Sequence, residues 1–328
     1  MKKKVLVTGA TGLLGANIVC ELNKQNYKVK IISRKGSSLK SLDDCEYELY
    51  EGNITDYSDL EKAIEGCDYV IHAAARTTQS PNKLSAYTDV NITTTDNLMQ
   101  LCEKHKIKKF IFVSSTNTFS NGTKENPGDE TGEFMPWLKG SGYAYSKYIA
   151  HQKVLEKAKN ENFPGLVVAP SFMIGPRDSK PSSGKLLLLG LNNRVVFHPS
   201  GGKSFVDVEY AAEAIVNSIE KGKVGESYLI SGINKSYREF FRTVNEQTGK
   251  KKILVQIPLW LLKGFGQIFS FFEKLFKISL PLNIVNQRLL CLDNYFSNNK
   301  AVRELGLKKT SLEESINKAV KWFENKEK

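Results

Sequence analysis

Residues 5–19 read VLVTGATGLLGANIV, and this stretch decides the fold. Val5 to Thr8 is a short strand-forming run, Gly9, Gly12 and Gly15 follow as a glycine-rich turn, and an apolar periodic stretch continues from Leu13. Glycine lets such a turn take dihedrals that a Cβ forbids and lets backbone amides approach a pyrophosphate, while the start of the following helix supplies a favourable dipole. A glycine triplet alone is weak evidence. Between a strand and a helix at the head of a βαβ repeat, it is a dinucleotide-binding fingerprint, with Thr11, Leu13 and Leu14 in the same cradle.

Moving outward, the first half of the chain alternates short β-branched runs with longer amphipathic ones, the pattern of βαβ units building a parallel sheet. Strands are predicted at 4–8, 28–33, 46–50, 69–72, 109–114 and 165–169, and helices most clearly at 91–104 and 144–159. The stretch 117–142 turns polar and contains Gly and Pro, a long loop of the kind that carries function. Beyond Pro170 the pattern becomes irregular. The fold class is therefore α/β, a doubly wound parallel sheet of the NAD(P)-binding Rossmann type. Residues 1–170 form the sheet domain with a return at about 206–231, and 171–328 form mainly a smaller C-terminal substrate-binding lobe.

The end of the second strand selects the dinucleotide. A carboxylate there accepts from ribose hydroxyls, whereas a basic side chain pairs with a 2′-phosphate. Here the sequence is IISRKGSS, so Arg34 and Lys35 favour NADP(H), with NAD(H) as the alternative. Tyr143 and Lys147 stand four apart at the start of a predicted helix and share one face. An ammonium at that offset stabilises a phenolate and is expected to pull the tyrosine pKa down toward working pH. Ser115 follows the fifth strand at its carboxyl end, where open α/β sheets bind ligands, and its hydroxyl can polarise a carbonyl.

These residues carry a resemblance. The chain resembles an extended short-chain dehydrogenase/reductase, the branch that holds nucleotide-sugar epimerases, dihydroflavonol reductases and 3β-hydroxysteroid dehydrogenases. The matching stretches are TGATGLLG, GNITDYSDLEKAIEGCDYVIHAAA, VNITTTDNL, FVSST, YAYSK and APSFMIGPRD. The resemblance implies that Ser115 positions the carbonyl, Tyr143 is the acid or base, Lys147 also holds the nicotinamide ribose, and Asn91 supports a proton-relay water. It further implies that Asn53 and Ile54 flank the adenine, Ala73, Ala74 and Ala75 line the cofactor backbone, and Pro170, Phe172 and Met173 approach the nicotinamide. Arg76, Thr116 and Ser171 are expected to meet substrate, and Arg177 a substrate phosphate. The chain departs from the pattern at Asn53, usually Asp, at Ala169, often Arg, and at Phe119-Ser120, usually Tyr-Gly. A homodimer through 83–104 and 144–159 also follows from the resemblance.

Composition bounds the rest. In 328 residues, 41% hydrophobic and 25% charged, a large core can be buried and disorder drops out. The net charge of +12 rests on Lys, only eight of the 47 basic residues being Arg, which reads as a solvated surface and not as a nucleic-acid reader. Cys20, Cys45, Cys67, Cys102 and Cys291 form no CxxC pair and read as reduced core thiols, with no metal site. No signal-peptide pattern opens the chain, so a cytoplasmic location is expected, and the Asn-x-Thr triplets at Asn53, Asn91 and Asn121 then carry no glycan. The segment 257–282 is rich in Phe but interrupted by Lys and Glu, so no uninterrupted apolar span of about 20 residues crosses a membrane. It puts Phe269 and Phe272 on one face, where they are expected to cover an apolar, lipid-like or aromatic substrate and to allow peripheral membrane contact. The expected function is NADP(H)-linked interconversion of a ketone or aldehyde and an alcohol. The alternatives are a nucleotide-sugar epimerase or dehydratase with bound NAD and a non-catalytic cofactor sensor.

Overall fold

The computed structural model describes residues 2–78, 80–262, 264 and 284–326. Phe269, Phe272 and most of the aromatic segment lie outside the described residues. Seven parallel strands form the main sheet: β1 (Lys4–Thr8), β2 (Lys28–Ser33), β3 (Glu48–Glu51), β4 (Tyr69–His72), β5 (Lys109–Val113), β6 (Gly165–Pro170) and, after strands of the second lobe, β10 (Ser227–Ile230). Their order across the sheet is β3-β2-β1-β4-β5-β6-β10. The direction of winding reverses between β1 and β4, which is where such sheets open a ligand crevice at their carboxyl edge.

The central strands are apolar on both faces because helices cover both. On one side, α1 (Leu13–Lys24) and α7 (Val208–Lys221) pack Ile18, Leu22, Ile215 and Ile219 against Val5, Val7 and Ile31. On the other, α2 (Tyr57–Ile64), α4 (Thr94–Lys104) and α5 (Gly142–Glu161) close over Leu6, Val70, Phe110 and Phe112. A short turn, α3 (Ser85–Tyr87), runs into a π-helical turn at Thr88–Thr93, so Asn91, expected inside a regular helix, sits on the wider π turn instead.

The second lobe is more regular than its sequence suggests. At its centre lies β9 (Gly202–Asp207), paired in parallel with β7 (Phe172–Ile174) and β13 (Asp293–Asn294) and antiparallel with β11 (Ile233–Ser236). A separate parallel pair joins β8 (Val195–His198) to β12 (Ile253–Gln256). Phe205, Phe240, Phe241, Leu187 and Ile316 fill the lobe's core beneath α6 (Gly184–Asn192), α8 (Tyr237–Thr248) and the C-terminal helix Leu312–Lys326. The polar 117–142 loop is pinned to this lobe through the bridges Gly122 to Tyr295 and Gly128 to Phe296.

The cysteine reading needs correction. Cys20, near the end of α1, and Cys45, in the connection after β2, form a disulfide with their Cα atoms 5.3 Å apart. The two are 25 residues apart and come together only because β2 returns the chain alongside α1, so no local spacing signals the pair. The two sulfurs and the Asp44 carboxylate lie within 4.8 Å of one another. With the sulfurs joined to each other and Asp44 held by Arg177, this cluster does not present a metal site. Cys102 is buried and Cys67 and Cys291 are half-buried, and these three lie outside the disulfide.

Candidate active site

The glycine turn is fixed by its neighbours. Gly9 has φ +73°, and a Cβ there would stand 2.6 Å from the Ala74 amide nitrogen. A Cβ on Gly15 would meet the Gly9 carbonyl oxygen at 2.1 Å, so helix α1 can press against the turn only with glycine at that position. Gly12 is different: it is exposed, and a Cβ there would approach nothing nearer than the Gly9 carbonyl oxygen at 3.4 Å. No side chain caps α1, leaving its first-turn amides, around Leu13 and Leu14, to a ligand. The open cradle at Gly12, the uncapped helix and the adjoining Ala73–Ala74 backbone therefore fit a dinucleotide pyrophosphate. Thr8 ties this edge together, its hydroxyl accepting from the Ala74 amide at 3.2 Å and bonding His72 Nδ1 at 2.7 Å.

Arg34 and Lys35 extend from the end of β2, both exposed, and neither has an ion pair among the described residues. Asn53 is also exposed, and its side-chain carbonyl accepts from the Thr55 amide at 3.2 Å just ahead of α2, beside the half-buried Ile54.

Ser115, Thr116, Tyr143, Pro170, Ser171 and Phe172 line one cleft at the carboxyl edge of β5 and β6. Asn117, Lys203, Ser204, Asn294 and Phe296 complete its wall from the loop and the second lobe. Helix α5 starts at Gly142 behind Ser141, whose hydroxyl accepts from the Ala144 amide at 3.3 Å, and this start sets Tyr143 at the cleft. One turn on, the Lys147 ammonium donates to the Val113 carbonyl at 2.5 Å and lies 4.1 Å from the centre of the Phe112 ring. Burial pushes Lys147 down to about 7. The Tyr143 phenol is pushed up by burial, which outweighs the lowering effect of Ser115 beside it. The expected pull of the lysine on the tyrosine is thus absent here, because the ammonium is turned to a backbone carbonyl. Another turn along, His151 bonds the Ser114 hydroxyl at 3.2 Å, Thr118 at 3.0 Å and Ser227 at 2.9 Å, anchoring α5 to β5, the loop and β10.

Asn91 holds this arrangement together. Its side-chain oxygen accepts from the Arg76 amide at 2.8 Å, and its Nδ2 donates to the Arg76 carbonyl at 3.2 Å and to Ser146 Oγ at 2.9 Å. The π turn, the segment after β4 and α5 are joined by one buried side chain. Arg76 itself is exposed, with its guanidinium 5.6 Å from the Tyr87 ring centre, and Met173 packs against the sheet core without lining the cleft.

Arg177 is corrected. It takes φ +75° and clamps Asp44 with both guanidinium nitrogens at 2.6 Å, while also donating to the Ser41 carbonyl at 2.9 Å. It lines a separate cleft with Asn17, Cys20 and Glu209 and fastens the β2 connection, so it is not in the substrate cleft. Asp178 beside it accepts from the Ser182 and Gly184 amides at 2.9 Å, a structural turn. The residue that the sequence reading overlooked is Lys203, whose only signal was a lysine inside the strand-like run GKSFVDV.

Residues 5–231 match the model of the NAD dependent epimerase/dehydratase family. The chain belongs to that family. Among curated relatives, this family member is 28% identical to sterol demethylase protein B of Methylococcus capsulatus over 97% of each chain. It is 30% identical to the decarboxylating sterol-4-alpha-carboxylate 3-dehydrogenase of Dictyostelium discoideum, over 85% of this chain and 88% of that protein. Its structure matches that of gox2253 with a TM-score of 0.87 at 27% identity, covering 99% of both chains. It is an enzyme of the extended short-chain dehydrogenase/reductase type, built on a parallel Rossmann sheet.

Proposed function

We propose that this enzyme is an NADP(H)-dependent oxidoreductase interconverting a ketone or aldehyde and an alcohol on a substrate with an apolar body. The observation that carries this reading is the meeting of Ser115 and Tyr143 in one cleft, one helical turn from the buried Lys147. Bound at the glycine turn, the nicotinamide would supply or accept the hydride. In the reducing direction Ser115 donates a hydrogen bond to the substrate oxygen. Tyr143, kept protonated by burial, passes its proton to that oxygen as negative charge develops there. Lys147, one turn along α5, would steady the phenolate left behind once its ammonium turns from the Val113 carbonyl toward Tyr143. Arg34 and Lys35 support NADP(H), since two exposed cations without ion pairs at the end of β2 are available to a 2′-phosphate.

Pro170, Phe172 and Phe296 in the cleft supply apolar contact. On the second lobe, β8 and β12 turn Val195, Phe197, Ile253 and Val255 outward, and Leu259 and Trp260 are exposed nearby. An exposed apolar surface of this kind, beside Lys250, Lys251 and Lys252, suits peripheral contact with an anionic bilayer from which an apolar substrate would enter. The test is cofactor consumption by purified protein, NADPH against NADH, with a panel of apolar ketones, aldehydes and nucleotide sugars. Consumption of NADPH with the apolar carbonyls supports the reading. Conversion of a nucleotide sugar with no net change in cofactor replaces it by the epimerase reading.

A further inference from the structure

Among the described residues, two polar groups in the cleft have no partner. Lys203, on β9, lines the same cleft as Ser115 and Tyr143, and its ammonium makes no hydrogen bond or ion pair among the described residues. In the same cleft lining, the buried Ser171 hydroxyl, directly after β6, also lacks a hydrogen-bond partner among the described residues. Elsewhere in the fold, buried or half-buried lysines are satisfied: Lys147 by the Val113 carbonyl, Lys30 by the Lys62 carbonyl and Lys300 by Glu226 and the Ser227 carbonyl. Burial pushes the Lys203 ammonium down to about 8. A withdrawn cation and an orphaned hydroxyl facing one space are costly to a fold, and the arrangement becomes favourable when an anion with two acceptor oxygens lies between them.

We infer that Lys203 and Ser171 form a carboxylate subsite, and that the substrate is a hydroxy or oxo carboxylic acid carrying its acid group close to the reacting carbon. This rests on the oxidoreductase reading for the reaction, but the subsite itself makes no covalent step. The ammonium donates to one carboxylate oxygen and the Ser171 hydroxyl to the other, which places the neighbouring carbon oxygen toward Ser115 and Tyr143. The apolar body then extends along Phe172 and Phe296. A diphosphate is a weaker fit, since among the described residues Lys203 is the one basic side chain, with no arginine, in the cleft lining.

The test measures binding, so it does not depend on turnover. 3-Hydroxydodecanoate and its methyl ester are titrated into NADP⁺-saturated protein by calorimetry, with UDP-glucose as a third probe. Wild type is expected to bind the acid at least about tenfold more tightly than the ester. K203M is expected to collapse that ratio to near one, and S171A to reduce it. K203M is also expected to melt at a higher temperature than wild type, because it removes an unpaired desolvated cation; a lysine serving only the fold would give the opposite. Equal affinity for acid and ester in wild type, no binding of either, or a preference that survives K203M overturns the inference. UDP-glucose binding that is lost in K203M without any acid preference overturns it in favour of a diphosphate site. Acid preference without cofactor reduction leaves the subsite standing and removes the oxidoreductase reading. Equal turnover of acid and ester does the reverse.

Discussion

At the scale of single residues, the proposed chemistry rests on Tyr143 and the proposed NADP(H) preference on Arg34. Tyr143→Phe removes the phenolic proton and one oxygen while keeping the ring at the start of α5. Proton transfer by a positioned group contributes roughly 10²–10⁴ in rate, so kcat should fall by that factor with the melting temperature and NADPH affinity nearly unchanged. A variant turning over within about twofold of wild type would remove Tyr143 from the mechanism. Arg34→Asp exchanges a cation for a like charge facing a 2′-phosphate. It should weaken NADPH far more than NADH in fluorescence titrations, and an equal loss for both would mean that Arg34 is merely solvated. The positions of both were legible in the sequence, Tyr143 at the start of α5 four before Lys147 and Arg34 directly after β2. Lys203 was not legible in that way. Its significance comes from the cleft wall it shares with residues far away in sequence, and strand periodicity alone could not show that its ammonium lacks a partner.

At the scale of elements, the parallel strands were readable to within two residues. Buried strands are mostly apolar runs, and 4–8, 28–33 and 69–72 match β1, β2 and β4 without change. The edge strand β3 slid to Glu48–Glu51 because it is mostly exposed and its side chains carry little pattern. The π turn at Thr88–Thr93 escaped because its determinant is tertiary: Asn91 bonds Arg76 and Ser146 across two other segments. Asn91→Ala should leave the Arg76 amide and carbonyl without their side-chain partner, while Ser146 keeps its bond to the Tyr143 carbonyl, and cost roughly 2–4 kcal/mol in urea unfolding. A change of under about half a kcal/mol would show that this link does not hold the turn. The Cys20–Cys45 bridge and the Arg177–Asp44 clamp fasten the same β2 connection that begins with Arg34. Arg177 looked like a phosphate ligand because it follows β7 in a Gly-Pro-Arg-Asp run, yet its partner lies 133 residues away.

For the molecule as a whole, pH sensitivity follows from two histidines locked in the sheet's hydrogen-bond network. His72 and His151 are both held down at about 3, chiefly by burial and secondarily by the Lys147 charge. Since their unfolded value is near 6.5, the unfolded chain binds more protons across the window from 6.5 down to 3. Stability is therefore lost as pH falls through that window, by up to about 2–3 kcal/mol per pH unit when both contribute. Imidazole proton resonances should show neither residue titrating above pH 5, while the melting temperature falls between pH 7 and 5. A midpoint near 6.5 for either would contradict their burial as neutral rings. The broad architecture was readable because the βαβ alternation is repeated several times over, each unit reinforcing the next. The second lobe was not, because its sheet is assembled from strands drawn from residues 172 to 294, and the three that pair with β9 have only two to four residues each, too few to show a period. The proposed reaction is net hydride exchange between nicotinamide and substrate, with Tyr143 moving the proton. A decisive assay incubates 4,4-dideuterated NADPH with the best apolar carbonyl found and follows the label by mass spectrometry. Net hydride transfer predicts one deuterium on the carbinol carbon for each NADPH oxidised, and almost none with Tyr143→Phe; label retained in full on the cofactor while a nucleotide sugar is converted would exclude it.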